Sequence, residues 1–139
     1  MEKFVDVILP LPLHACFTYS LPEDMAESVQ IGCRVVVPFG RKKYYTAIVQ
    51  NIHYSAPAGY EVKEVSALLD AHPILLSEQF RFWDWLADYY LCTRGDVYKA
   101  ALPSGLKLES ETIVEYNPDF ESDVQLPEKE QKILDLLAA

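Results

Sequence analysis

The feature that most constrains the fold is a change of hydrophobic period about midway along the chain. Up to Val65 the chain reads as short strands punctuated by turns, with apolar side chains at every second position in the first two, and from Ser77 onward apolar side chains recur at helical spacing. Lys3–Leu9 sets Val5, Val7 and Leu9 on one face against Phe4, Asp6 and Ile8 on the other, and Phe17–Leu21 aligns Phe17, Tyr19 and Leu21. Between them, Leu9-Pro10-Leu11-Pro12-Leu13 holds two residues that cannot donate a backbone hydrogen bond, so it reads as extended chain outside any central strand. Pro22-Glu23-Asp24 starts a turn and Gly32 marks the next corner. Val35-Val36-Val37 and Tyr44–Val49 form two further strands, joined through Gly40-Arg41-Lys42-Lys43 into a hairpin with cations at its tip. Tyr60–Val65 reads as a last strand.

In the second half, Ser77 is placed to cap a helix running to Tyr90, with Glu78 against its positive end. Phe80, Trp83, Ala87 and Tyr90 share a face, and Phe82, Trp85, Leu86 and Tyr89 widen it, so this helix is expected to be core. Gly95 ends that region, Asp96 caps a short helix through Leu102, and Pro103-Ser104-Gly105 stops it. Glu111–Tyr116 reads as one more strand, followed by an acidic loop. Pro127 then opens a helix with Ile133, Leu134 and Leu137 on one side, still apolar at Ala139, as though the chain stopped inside a domain. The expected fold class is β-rich α+β. A small, bent, OB-like sheet or barrel over about 1–65 is followed by a helical half over about 77–103 and then an incomplete winged-helix-like segment.

Composition excludes several classes. Half of the 139 residues are apolar and 12% aromatic, enough for a core and too many for a disordered chain. No apolar run approaches the ~18 residues of a membrane span and no basic-then-apolar leader opens the chain, so a cytoplasmic protein with no membrane contact is expected. Cys16, Cys33 and Cys92 are odd in number with no C-x-x-C spacing, and His14, His53 and His72 lie far apart, which argues against a disulfide framework and a zinc site. A net charge of −9 would by itself disfavour a nucleic-acid partner. The charge is uneven, however. Residues 1–60 carry five basic and five acidic side chains, 61–105 four and seven, and 106–139 three and nine. The acidity sits mostly in the tail, and three of the five early cations are consecutive at the hairpin tip.

No catalytic apparatus is visible: there is no G-x-x-x-x-G-K-[ST], no H-E-x-x-H and no G-x-S-x-G, and the five glycines do not cluster. The fragment is therefore expected to be no enzyme. At the hairpin, Arg41, Lys42 and Lys43 beside Phe39, Tyr44 and Tyr45 suit the backbone and bases of a single strand. A solvated loop accounts for the same tip, Phe17 is equally well a core residue, Gly40 can simply turn the hairpin, and Lys63 between Glu61 and Glu64 can be an edge-strand charge.

The order of segments adds a resemblance. Val7-Ile8-Leu9-Pro10-Leu11-Pro12-Leu13, Cys16-Phe17-Thr18-Tyr19-Ser20-Leu21-Pro22 and Ile31-Gly32-Cys33-Arg34-Val35-Val36-Val37-Pro38-Phe39-Gly40-Arg41 resemble the amino terminus of the PriA (primosomal protein N′) family. So does Leu86-Ala87-Asp88-Tyr89-Tyr90 through Gly95-Asp96 and Ala101-Leu102-Pro103. Members are large DNA helicases that recognise stalled replication forks and reload the replicative helicase. Their first domain captures the free 3′ end of the nascent leading strand. The resemblance implies a 3′-end DNA-binding domain over 1–105 and the beginning of a truncated, permuted winged-helix domain over 106–139. ATP with magnesium, and zinc, would belong to motor and zinc-binding regions that this chain lacks, so no cofactor is expected here. Expected partners are single-stranded or forked DNA with a free 3′ end and other primosome proteins. Carried over by position, the 3′-end site is Phe17, Thr18, Gly40 and Lys63, with backbone contacts expected from Arg41, Lys42, Lys43 and Tyr44. Thr18 is a departure, since better-known members carry there an aspartate that contacts the terminal hydroxyl; threonine can both donate and accept. The competing reading is a protein-docking module of a replication assembly, with an acidic second half that binds partners and an incidental hairpin.

Overall fold

The computed structural model describes residues 1–111, 113–119 and 123–139. Five antiparallel strands come first: β1 (Phe4–Ile8), β2 (Phe17–Ser20), β3 (Arg34–Phe39), β4 (Lys43–His53) and β5 (Ala67–Leu68). Helices α1 (Ser77–Tyr90) and α2 (Arg94–Ala101) follow, then a 3-10 turn at Ser104–Leu106 and α3 (Glu128–Ala138). The sheet order is β2-β1-β4-β3-β5. This is a small OB-like α+β fold whose sheet does not close into a barrel.

The strands alternate as their side chains require. Val5, Val7, Val35, Val37, Ala47 and Val49 point to one face, where Leu9, Tyr19, Leu21, Val29 and Val65 complete a buried cluster. Ile8 and Ile48 point to the other face and pack under the helices with Leu75, Trp83, Ala87, Val97, Tyr98 and Leu102. The register of β1 on β4 slips between Asp6 and Val7, where β4 contributes one extra residue, and this bulge bends the sheet. Gly95 lets α2 approach closely: a Cβ there would land on the Leu11 and Leu9 carbonyls. Tyr98 then reaches into the sheet and donates its hydroxyl to the Thr46 carbonyl at 2.7 Å, while burial drives its phenol pKa well above the ordinary value.

Several local expectations are corrected. Tyr60–Val65 is not a strand. Only Glu64 bridges to Ser20, in parallel, and the chain then crosses the open side of the sheet. Ser20 N–H donates to Lys63, Val65 N–H to Ser20, Ser66 N–H to Val36 and Leu69 N–H to Arg34, so one segment ties the β2 edge to the β3 edge. The α1 N-cap is Leu76 rather than Ser77, with the Gln79 side chain accepting from the Leu76 N–H. Thr93, not Asp96, caps α2. Asp96 is the third residue of its capping box and Gly95 lies inside the helix. Residues 111 and 113–116 form no strand; instead Leu108–Ser110 lies along the part of β4 that β1 leaves free. Of the expected α1 core, Trp83 and Ala87 are buried and Phe80 and Leu86 partly so, but Phe82, Trp85, Tyr89 and Tyr90 are exposed. Arg34 holds Asp70 through Nη2–Oδ1 (2.6 Å) and Nε–Oδ2 (2.9 Å), which keeps the Asp70 carboxyl below its usual range and clamps β3 to the start of the helical half.

Candidate nucleic-acid interface

A cavity of about 160 Å³ opens where the end of β2 faces the β3–β4 hairpin, lined by Phe17, Thr18, Tyr19, Pro38, Phe39, Gly40, Tyr60, Glu61 and Lys63. Three points far apart in sequence, the pair Phe17 and Thr18, then Gly40 and Lys63, thus meet at one site. Strand parity puts Phe17 on the inner face, where its ring meets Phe39 edge to face at 5.1 Å and Phe39 meets Tyr45 likewise at 6.1 Å. Tyr19 closes the floor. Its hydroxyl donates to the Pro38 carbonyl at 3.0 Å, and burial, helped by the neighbouring Tyr60, pushes its pKa up to about 12.

Thr18 contributes its backbone rather than its hydroxyl. It stands opposite Asp6 in the ladder, and its Oγ1 donates to Asp6 Oδ1 at 2.7 Å. Asn51 and His53 reach the same carboxylate at 3.3 and 3.1 Å. Partial burial pushes the Asp6 carboxyl up, but the bonds from Thr18, His53 and Asn51 outweigh it and leave the pKa lowered. The backbone of Thr18 is a different matter. Ser20, two residues on, turns both its N–H and its C=O away from β1 to meet Lys63 and Val65. By the two-residue repeat of a strand, Thr18 N–H and C=O point the same way, into the cavity, and neither has a partner among the described residues. An open donor and an open acceptor, side by side, line the site.

Gly40 turns the hairpin with φ +72, and nothing lies within 4 Å of where its Cβ would be, so the backbone there is open to a ligand. Lys63 Nζ donates to the Gly40 carbonyl at 2.7 Å across the rim. Among the described residues Lys63, Arg41, Lys42 and Lys43 form no ion pair. Lys43 opposes Phe39 and shares the parity of Tyr45, on the cavity side. Tyr44 falls on the opposite face, next to Ser110, and Arg41 and Lys42 occupy the exposed tip. Phe39 and Tyr60 are lining residues that the resemblance did not supply. Phe39 had a signal in the aromatics flanking the cations; Tyr60 had none, because the loop carrying it is placed by the Ser20–Glu64 bridge.

A larger groove of about 520 Å³ lies between the Leu9–Phe17 stretch and the helices, with Phe17 as the shared wall. There Asp84 is paired with Arg94, and Asp88 adds a further carboxylate. Among the described residues no cluster of His, Cys, Asp and Glu could hold a metal ion, and no helix is long and apolar enough to cross a membrane.

Residues 6–103 match the family model described as the PriA 3′ DNA-binding domain, and residues 111–139 match a winged helix domain. The chain is 40% identical over 110 residues to the replication restart protein PriA of Haemophilus influenzae, covering 76% of this chain and 14% of that one. It is 32% identical over 120 residues to the Bacillus subtilis replication restart protein PriA, covering 85% and 15%, and 28% identical over 108 residues to that of Treponema pallidum, covering 75% and 16%. The chain thus spans about 15% of the length of these curated relatives.

Proposed function

The chain belongs to the PriA 3′ DNA-binding family, and from that premise we propose that residues 1–105 capture the free 3′ terminus of a DNA strand in the cavity between β2 and the β3–β4 hairpin. The observation that carries the reading is the convergence there of an aromatic wall, an open backbone donor–acceptor pair and an unneutralised cation.

Each part has a task. The terminal base lies against Phe17 with Phe39 behind it, a contact that any base satisfies. The 3′ hydroxyl donates to the Thr18 carbonyl and its oxygen accepts from the Thr18 N–H. This backbone route replaces the aspartate contact of better-known members, because the Thr18 hydroxyl is already committed to Asp6. Lys63 exchanges the Gly40 carbonyl for a phosphate oxygen, a stronger acceptor because it is charged. Lys43, Arg41 and Lys42 attract the strand from the hairpin side. A following phosphate on the 3′ oxygen would meet the β2 edge and remove the hydroxyl proton, so an end is distinguished from an interior position.

In this reading residues 106–139 begin a winged-helix domain, and the chain is the non-catalytic, cytoplasmic recognition module of a replication-restart helicase acting at stalled forks. ATP chemistry and zinc belong to the remainder of the longer relatives, and other primosome proteins are further partners. The test compares single strands of one sequence ending in a 3′ hydroxyl or a 3′ phosphate, and a circular strand. Tighter binding of the hydroxyl end supports end capture. Equal affinity for all three overturns it and leaves the docking-module reading in its place.

A further inference from the structure

Four aromatic residues border the DNA cavity, Phe17, Tyr19, Phe39 and Tyr60, and three of them are already used by the protein. Phe17 and Phe39 hold each other edge to face, Phe39 continues to Tyr45, and Tyr19 is buried with its hydroxyl on the Pro38 carbonyl. Tyr60 differs. It is 54% exposed, and among the described residues its ring meets no other ring and its hydroxyl forms no hydrogen bond. An aromatic ring at the rim of a cavity, committed to nothing in the protein, has its faces free for a ligand.

The segment carrying Tyr60 is built to adjust to an occupant. It is tied at one end by the Ser55 N–H, which donates to His53 Nδ1 at 3.3 Å, and at the other by the Ser20 N–H, which donates to the Lys63 carbonyl at 3.0 Å. Between these ties the backbone of residues 56–62 makes no hydrogen bond among the described residues. An arch of this kind opens and closes at low cost. A tyrosine, with only two side-chain torsions, also loses little entropy when it is clamped.

The size of the cavity selects what the arch closes on. At about 160 Å³ it is smaller than the ~300–1,000 Å³ of sites for drug-sized ligands, so a single ring system fills it and touches what borders it. With the terminal base against Phe17, its second face is left for another partner, and stacking on an aromatic ring serves every base alike. Tyr60 is the uncommitted ring among those bordering the site. We infer that Tyr60 closes over the terminal base, which is then held between Phe17 and Tyr60. This inference rests on the end-capture reading and adds to it a base-clamping residue that the resemblance did not supply.

The experiment is a cycle between Tyr60 and the terminal base, read by fluorescence anisotropy of 5′-labelled dT strands with the whole chain. One strand ends in an intact 3′-hydroxyl nucleotide, one in a 3′-hydroxyl abasic residue, one in a 3′ phosphate, and one carries the abasic residue a position upstream of an intact end. Tyr60→Ala should weaken binding of the intact end by about five-fold or more, and of the terminal abasic end by less than about two-fold. The upstream abasic strand should respond as the intact strand does. Tyr60→Phe should bind like the unchanged chain, because the ring and not the hydroxyl makes the contact. Both variants change an exposed loop residue, so their urea midpoints should stay close to that of the unchanged chain. Equal weakening of the intact and terminal abasic ends overturns the inference, since Tyr60 would then shape the cavity without stacking on the base. So does an unaltered affinity of Tyr60→Ala, a Tyr60→Phe as weak as Tyr60→Ala, or an effect that follows the upstream base. If the preference for a 3′ hydroxyl over a 3′ phosphate persists through any of these, the end-capture reading stands and only the role of Tyr60 falls. Equal affinity of the unchanged chain for both ends removes that reading, and this inference with it.

Discussion

Replacing Lys63 with alanine tests the DNA site through both an affinity and a salt slope. In the free protein the ammonium is held by a neutral acceptor, the Gly40 carbonyl at 2.7 Å, with no carboxylate in ion-pair range among the described residues. That bond is already charge-assisted by the ammonium, so exchanging the carbonyl for a phosphate adds only the attraction of a second charge, about 1 kcal/mol at 4 Å in water and more near a protein surface. Moving Nζ from carbonyl to phosphate therefore gains about 1–2 kcal/mol, and Lys63→Ala should weaken binding of a 3′-hydroxyl strand by about 5–30-fold at low salt. One phosphate fewer is neutralised, so the slope of log K against log salt should become shallower by about 0.7. The deficit of the variant should shrink as salt rises. Stability should change by less than about 1 kcal/mol, because the bond lost is exposed. Fluorescence anisotropy of a 5′-labelled dT strand across a salt series, alongside a denaturant melt, measures all three. A loss of affinity with an unchanged salt slope would refute the reasoning, since Lys63 would then act on the cavity's shape and not on a phosphate.

Three further outcomes are expected. Trp83→Ala should cost about 3–5 kcal/mol in urea unfolding, while Trp85→Ala, on the opposite side of the same helix, should stay within about 0.5 kcal/mol. Thr18→Val removes the hydroxyl donated to Asp6 but leaves the backbone pair in place; preference for a 3′ hydroxyl over a 3′ phosphate should survive it, and loss of that preference would show that the hydroxyl reads the end. The Asp70 carboxyl is held below its ordinary value by Arg34, so its contribution is fully present above the unfolded carboxylate range and lost as pH falls through the lower folded value. Urea midpoints should accordingly drop below about pH 4, and Asp70→Ala, which leaves the Arg34 charge without its partner, should cost about 3–5 kcal/mol at neutral pH.

The sequence by itself determined what is local. Alternation at Val5/Val7 and Val35/Val37 required strands because adjacent residues point to opposite faces whatever lies beyond them, and the spacing of Trp83 and Ala87 required a helix in the same way. Gly40 and the cations after it marked the hairpin. The residues named for the site came from the resemblance, and they do line one cavity. Tertiary structure alone decided how each takes part. Alternation at Phe17-Thr18-Tyr19 does not say which backbone edge is left open; that depended on the Lys63–Val65 segment bonding to Ser20 and stopping short of Thr18. The same crossing turned the expected strand at Tyr60–Val65 into a tie between two sheet edges and carried Tyr60 into the cavity. On α1, aromatic residues occupy most of the circumference, so the wheel offers several equivalent faces. Trp83 is inside and Trp85 outside because the close approach of α2, permitted by Gly95, oriented the helix pair against Ile8 and Ile48. Periodicity depends on neighbours in the chain, while the choice among equivalent faces and edges depends on residues that become neighbours only on folding.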